Sequence, residues 1–111
     1  MKTIAILSCL KATAVCSGAA CFSALNKRTQ SFAPYRDETV EIAAFFHCNG
    51  CGCNIETDKE YAEKINRVKN MALDAVHIGK CTINSGTECS TITKIAGELS
   101  SAGIQVIRGT H

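Results

Sequence analysis

The sequence predicts an α/β fold, a single doubly wound domain over residues 1–111 with a four-stranded parallel sheet and three helices. Three observations carry this. Short apolar runs alternate with stretches of helical periodicity, an order that calls for parallel strands joined by right-handed crossovers. The least polar runs, 2–8 and 75–78, suit central strands buried on both faces, whereas the other two carry Glu41 and Gln105 and suit edges. A chain of 111 residues, 46% hydrophobic and 20% charged with one proline, has the composition of an ordinary globular domain. Such a chain buries roughly two thirds of its unfolded surface without needing staples. The expected strand order is 2-1-3-4.

Lys2 to Ser8 forms the first strand and ends at Cys9. Met1, Lys2 and Ile4 to Leu7 mimic the opening of a signal peptide, and Gly18-Ala19-Ala20-Cys21 mimics a lipoprotein cleavage site. Lys11 interrupts the apolar run, however, and Gly18 stands where such a site carries a branched aliphatic. The expectation is a strand in a cytoplasmic protein with no membrane segment. From Ser17, a candidate N-cap, to about Arg28, the residues Cys21, Phe22, Ala24 and Leu25 share one helical side. Lys27 and Arg28 then favour the helix dipole. Phe32 to Tyr35, around Pro34, reads as a turn-rich connection.

The second strand runs from about Thr39 to Phe46 and ends at Cys48. Thr57-Asp58-Lys59-Glu60 reads as a capping box for a second helix reaching about Ala72, with Tyr61, Ile65, Val68 and Ala72 facing inward. Ala75 to Ile78 is the third strand, leading to Cys81. His77 within it is expected to be a hydrogen-bonded structural group rather than a ligand. A loop from Thr82 to Glu88 precedes a third helix that starts near Cys89, buries Ile92, Ile95, Ala96 and Leu99, and is capped by Gly103. Ile104 to Arg108 is the last strand, followed by His111. One helix would cover the first sheet face and two the second, and that imbalance motivates a homodimer through the thinly covered face.

Twelve basic and ten acidic side chains, scattered along the chain, give a net charge of +2 and no electrostatic footprint for nucleic acid. The outlying number is eight cysteines. A disulfide framework and a reduced metal or redox cluster are the two standard explanations. Spacing favours the second, because Cys51 and Cys53 are one residue apart, and adjacent disulfides there need strained rings that metal thiolates do not.

In an open parallel sheet of this flavodoxin- or Rossmann-like type, ligands bind beyond the carboxyl ends of the strands. Each predicted strand leads into a potential metal ligand: Cys9, Cys48, Cys81 and His111. Cys16, Cys51 and Cys89 lie in the loops or first helical turns on the same rim, so the candidate metal site is Cys9, Cys16, Cys48, Cys51, Cys81, Cys89 and His111. Cys21 and Cys53 are the expected spectators. Sulfur-rich ligation selects zinc, copper(I) or iron–sulfur over magnesium or calcium, and a Cys/His mixture makes zinc the default. His111 would be a labile ligand. An iron–sulfur cluster is the alternative cofactor.

The chain resembles the CGGC-domain family. The resemblance is carried by the strand ending in Cys9, Cys16-Ser17-Gly18, the region from Ala24 to Arg28, Phe32-Ala33-Pro34-Tyr35, Phe45-Phe46-His47-Cys48-Asn49-Gly50-Cys51, the strand ending in Cys81, Glu88-Cys89 and Thr110-His111. It covers essentially the full length. It implies zinc binding through cysteines and histidines with no established reaction. Asn49 stands where the family motif has glycine, and Gly52 and Cys53 stand where proline and glycine are common, so Cys53 is an added thiol.

A dithiol redox protein is the runner-up, since Cys48-x-x-Cys51 follows a strand as in thioredoxin-like enzymes. Against it, the second helix starts several residues too late to aim its dipole at the motif, and Pro34 precedes the strand. A phosphatase or arsenate reductase would need an arginine six residues after Cys9, where Val15 stands. No carboxylate sits at a strand end to serve as a general base, so metal storage, delivery or sensing fits better than hydrolysis.

Overall fold

The computed structural model describes every residue from Met1 to His111. The chain runs β1 (Lys2–Ser8), α1 (Ala19–Lys27), β2 (Val40–His47), α2 (Lys59–Lys69), β3 (Ala75–Ile78), a hairpin of β4 (Ile83–Asn84) and β5 (Thr87–Glu88), α3 (Ser90–Ser101) and β6 (Gln105–Arg108). The main sheet has the order β2-β1-β3-β6 and is parallel throughout, which is the expected order with β6 as the fourth predicted strand. Ile4, Ala5, Ile6 and Leu7 are all fully buried, as a continuous apolar run in a doubly covered strand requires.

Side chains alternate between two apolar layers. Ile4, Ile6 and Ala75 pack with Cys21, Ala24 and Leu25 of α1 and with Phe32 and Tyr35. Ala5, Leu7, Val76 and Ile78 pack with Tyr61, Ile65 and Val68 of α2 and with Ile92, Ile95 and Leu99 of α3. The connection expected to be a turn is a 3-10 helix, Gln30–Tyr35, with Pro34 inside it. Its Phe32 and Tyr35 are buried on the α1 face, so this short helix covers that face together with α1.

One irregularity in β2 matters for the site. Ile4 pairs with Ile42 but Ala5 pairs with Ala44, so Ala43 is left over as a bulge. A bulge inverts the alternation beyond it. Val40, Ile42 and Phe45 therefore face α1, while Phe46 and Cys48 face α2 and α3.

Local endings depart from expectation for identifiable reasons. The N-cap of α1 is Gly18, not Ser17, at φ 84°, where a Cβ would stand 3.0 Å from the Phe45 ring. Asp58, not Thr57, caps α2, accepting from the Glu60 and Tyr61 amides at 3.1 and 3.2 Å. Helix α2 stops at Lys69 with Asn70 as its C-cap, short of Ala72, which is exposed at a left-handed φ of 56°. The loop expected from Thr82 to Glu88 holds the β4–β5 hairpin, whose Ser85 and Gly86 at φ 51° and 80° make the left-handed pair that a tight turn requires. Helix α3 closes as expected around Gly103, with Ile104 N–H donating to the Leu99 carbonyl at 3.1 Å. No helix is long and apolar enough to cross a membrane.

Candidate functional site

All eight cysteines are free. They do not form one cluster. Cys9, Cys16, Cys81 and His111 line one small cavity of about 10 Å³, together with Cys21. Such a volume holds about one water, or one ion of similar size. Cys48, Cys51 and Cys89 are elsewhere. Cys48 is buried at the end of β2, Cys51 is exposed in the loop between β2 and α2, and Cys89 is the N-cap of α3.

The inner cavity is built by four chain segments. β1 delivers Cys9, whose backbone N–H donates to Cys81 Sγ at 3.4 Å. Cys81 reaches that position from the 3-10 turn Lys80–Thr82 because Gly79 has no side chain; a Cβ there would stand 3.3 Å from its sulfur. Cys16 Sγ accepts from the Gly18 N–H at 3.4 Å, just ahead of α1. Cys21 is 3% exposed, and its sulfur lies 3.0 Å from Thr110 Oγ1 and 3.7 Å from His111 Nδ1. Thr110 Oγ1 also meets His111 Nδ1 at 3.1 Å, so this buried threonine ties the segment after β6 to α1.

Burial pushes the Cys81 thiol above its ordinary range; the Cys9 amide offsets part of this, and the nearby Cys9, Cys21 and Cys16 thiols add to it. A cation would favour the thiolates that burial disfavours. The donor chemistry fits a thiophilic ion. As placed, no three His, Cys, Asp or Glu side chains stand so that they could hold one, and uptake therefore requires rotation of donors such as the exposed Cys16 and His111.

Cys48 belongs to the other side of the sheet. Its sulfur accepts from the Leu10 N–H at 3.4 Å, so the consecutive amides of Cys9 and Leu10 hold Cys81 and Cys48 on either side of the end of β1. Cys48 lines an open cavity of about 400 Å³ with Leu10, Asn49, Cys53 and Lys64 among its walls. Lys64 Nζ donates to the His47 carbonyl at 2.5 Å and also to Asn49 Oδ1. Burial lowers the Lys64 pKa, and Cys48 partly restores it. Cys53 Sγ donates to the Asn49 carbonyl at 3.1 Å. Tyr61 is fully buried in the same apolar layer, and its hydroxyl has no hydrogen-bond partner. Burial pushes its pKa up to about 12; the Asn49 backbone counteracts this, and the Cys48, Cys53 and Cys89 thiols reinforce it. His47 Nε2 is a second buried atom without a partner, on a ring that packs edge-on against Phe45. Burial, then Lys64, lowers the His47 pKa.

His77 is fully buried as a structural group, with Ser31 Oγ 2.9 Å from Nδ1, Tyr35 OH 2.8 Å from Nε2 and Phe32 stacked on the ring. The largest concavity, about 700 Å³, runs along the polar face of α2 and touches no thiol. Sequence reasoning missed Thr110, for which residue type offers no signal, and placed Cys21 by its apolar helix side alone. The family model described as the CGGC domain matches residues 3–111 of the chain. No curated protein and no solved structure matches it.

Proposed function

As the chain belongs to the CGGC-domain family, we propose that it is a zinc-binding protein that takes its ion at the inner cavity, through donors from Cys9, Cys16, Cys21, Cys81 and His111. The observation that carries this is four thiols and an imidazole, brought from four separate segments, around a cavity of ionic size. Zinc is the ion that a mixed Cys/His donor set selects, and such a set suffices for its four-coordinate preference. Cys48, Cys51 and Cys89, expected from the sequence to join the site, lie outside this reading.

No Asp or Glu lines the cavity, so the carboxylate that commonly serves as base in hydrolytic zinc sites has no candidate there. Storage, delivery or sensing of the metal is the role this supports. Cys16 and His111 are the exposed donors and the ones that would release first. Eight free thiols accord with a reducing compartment such as the cytoplasm.

The test is elemental analysis with an absorption spectrum on anaerobically purified protein. A colourless zinc adduct is expected, lost in the Cys9→Ser/Cys81→Ser double variant and retained in Cys51→Ser. A brown iron-containing product would establish the iron–sulfur alternative, and a metal-free protein would overturn metal binding. His111→Ala should speed transfer of zinc to a chelator; an unchanged rate would remove the labile-ligand role.

A further inference from the structure

The cavity on the α2 side has no part in the metal reading, and its chemistry is different. Two thiols line it, one buried and one partly exposed: Cys48, at 3% exposure, and Cys53. They are held close to the same residue, because Cys53 Sγ lies 3.1 Å from the carbonyl of Asn49, the neighbour of Cys48. Lys64 is pinned to His47 and Asn49, the residues on either side of Cys48, which brings its ammonium to the wall that both thiols share. The Leu10 N–H already donates to Cys48 Sγ.

Cys51 does not belong to this wall. It is exposed and borders a second groove with Ser90, Thr91 and Lys94, which Cys53 also reaches, so Cys53 is the thiol common to both.

We propose that Cys48 and Cys53 form a dithiol that exchanges with small-molecule disulfides entering the α2-side cavity. Cys53, the more exposed thiol, is the attacking group. Its sulfur displaces one half of a disulfide RSSR, forming a Cys53–SR mixed disulfide and releasing RS⁻, which takes up the proton that Cys53 gave up. The Cys48 sulfur then attacks Cys53, closing a Cys48–Cys53 disulfide and expelling the second RS⁻, which receives the Cys48 proton. Two electrons pass from the chain to the small disulfide, and two RSH molecules leave. The Leu10 N–H, which donates to Cys48 Sγ at 3.4 Å, holds that sulfur in place for the second step. The proposal does not depend on metal binding at the inner cavity.

The experiment uses the full chain with oxidised glutathione as the probe, disulfide mapping by mass spectrometry and a count of released thiol. The wild-type protein should yield a Cys48–Cys53 bridge. Cys48→Ser should stop at a glutathione adduct on Cys53, Cys53→Ser should lose the bridge and the Cys48 oxidation, and Cys51→Ser should behave as wild type. A wild-type bridge through Cys51, or reaction of other thiols while Cys48 and Cys53 stay reduced, would overturn the proposal without requiring any variant to fold. Zinc content read on the same samples separates the two ideas: metal retained with no Cys48–Cys53 bridge overturns only the exchange reaction.

Discussion

The two faces of the sheet each bury one large polar side chain completely, and they treat it in opposite ways. On the α1 face His77 has a hydroxyl at each ring nitrogen, Ser31 at 2.9 Å and Tyr35 at 2.8 Å. On the α2 face Tyr61 keeps its hydroxyl without a partner. The thiols divide along the same line. Those on the α1 side surround a small, ion-sized cavity, whereas Cys48 and Cys53 line a much larger, open one beside a cation. A satisfied buried group serves stability, and an unsatisfied one is stability given up, which makes it the place to look for chemistry. The partition itself originates in a single residue, Ala43, because the bulge there turns Cys48 away from the other strand-end cysteines.

The most damaging way to break this division is to delete Ala43. Restoring strict alternation forces one half of β2 to present its apolar residues to the wrong layer, at a cost on the order of 4 kcal/mol. Chemical denaturation would read the loss, and a stability within about 1 kcal/mol of wild type would mean that the bulge does not determine the faces.

Acid sharpens the contrast next. Burial lowers the His77 pKa to about 4 from its ordinary 6.5, so the unfolded chain takes the proton first. Stability is then full above pH 6.5 and falls as the pH drops toward 4, by ~3 kcal/mol in all. Denaturation midpoints across that interval should show the fall in wild type and a flatter profile in His77→Gln.

Tyr61→Phe tests the opposite face. Removing a buried hydroxyl with no partner should leave stability equal or raise it by about 1 kcal/mol. A loss of more than about 1 kcal/mol would show that the hydroxyl is satisfied after all.

The smallest effect belongs to Arg108, which holds Glu88 through bonds of 2.6 and 3.1 Å and ties the hairpin to β6. The Arg108 hydrogen bond lowers the Glu88 pKa, so this contribution is present at neutral pH and is lost on acidification. Because the arginine is half exposed, Arg108→Gln should cost below ~1 kcal/mol in a urea titration, with any excess showing that the hairpin is coupled to α3.

Much of the architecture was legible because it depends on patterns of a few residues. The unbroken Ile4-Ala5-Ile6-Leu7 run requires a central strand, and the spacing of Tyr61, Ile65 and Val68 requires a helix packed on one side. From those alone the parallel sheet and the order with β1 and β3 inside follow. The hairpin was also written in the chain, in Asn84-Ser85-Gly86, but its strands are two residues each and too short for periodicity to reveal. The 3-10 helix Gln30–Tyr35 was hidden because Pro34 signals only where a regular helix is disfavoured.

For the site, residue type and strand order together place potential ligands at the carboxyl edge of a parallel sheet, since three strands lead into a thiol and the fourth into His111. Which thiols meet was settled by tertiary contacts. Ala43 carries no signal that it will bulge, Gly79 gives no warning that a sulfur will fill the space of its missing side chain, and Thr110 is made part of the inner cavity only by burial against Cys21. The physical reason is that a strand's direction is encoded by its own sequence, whereas the face toward which its last side chain points depends on register with its neighbour.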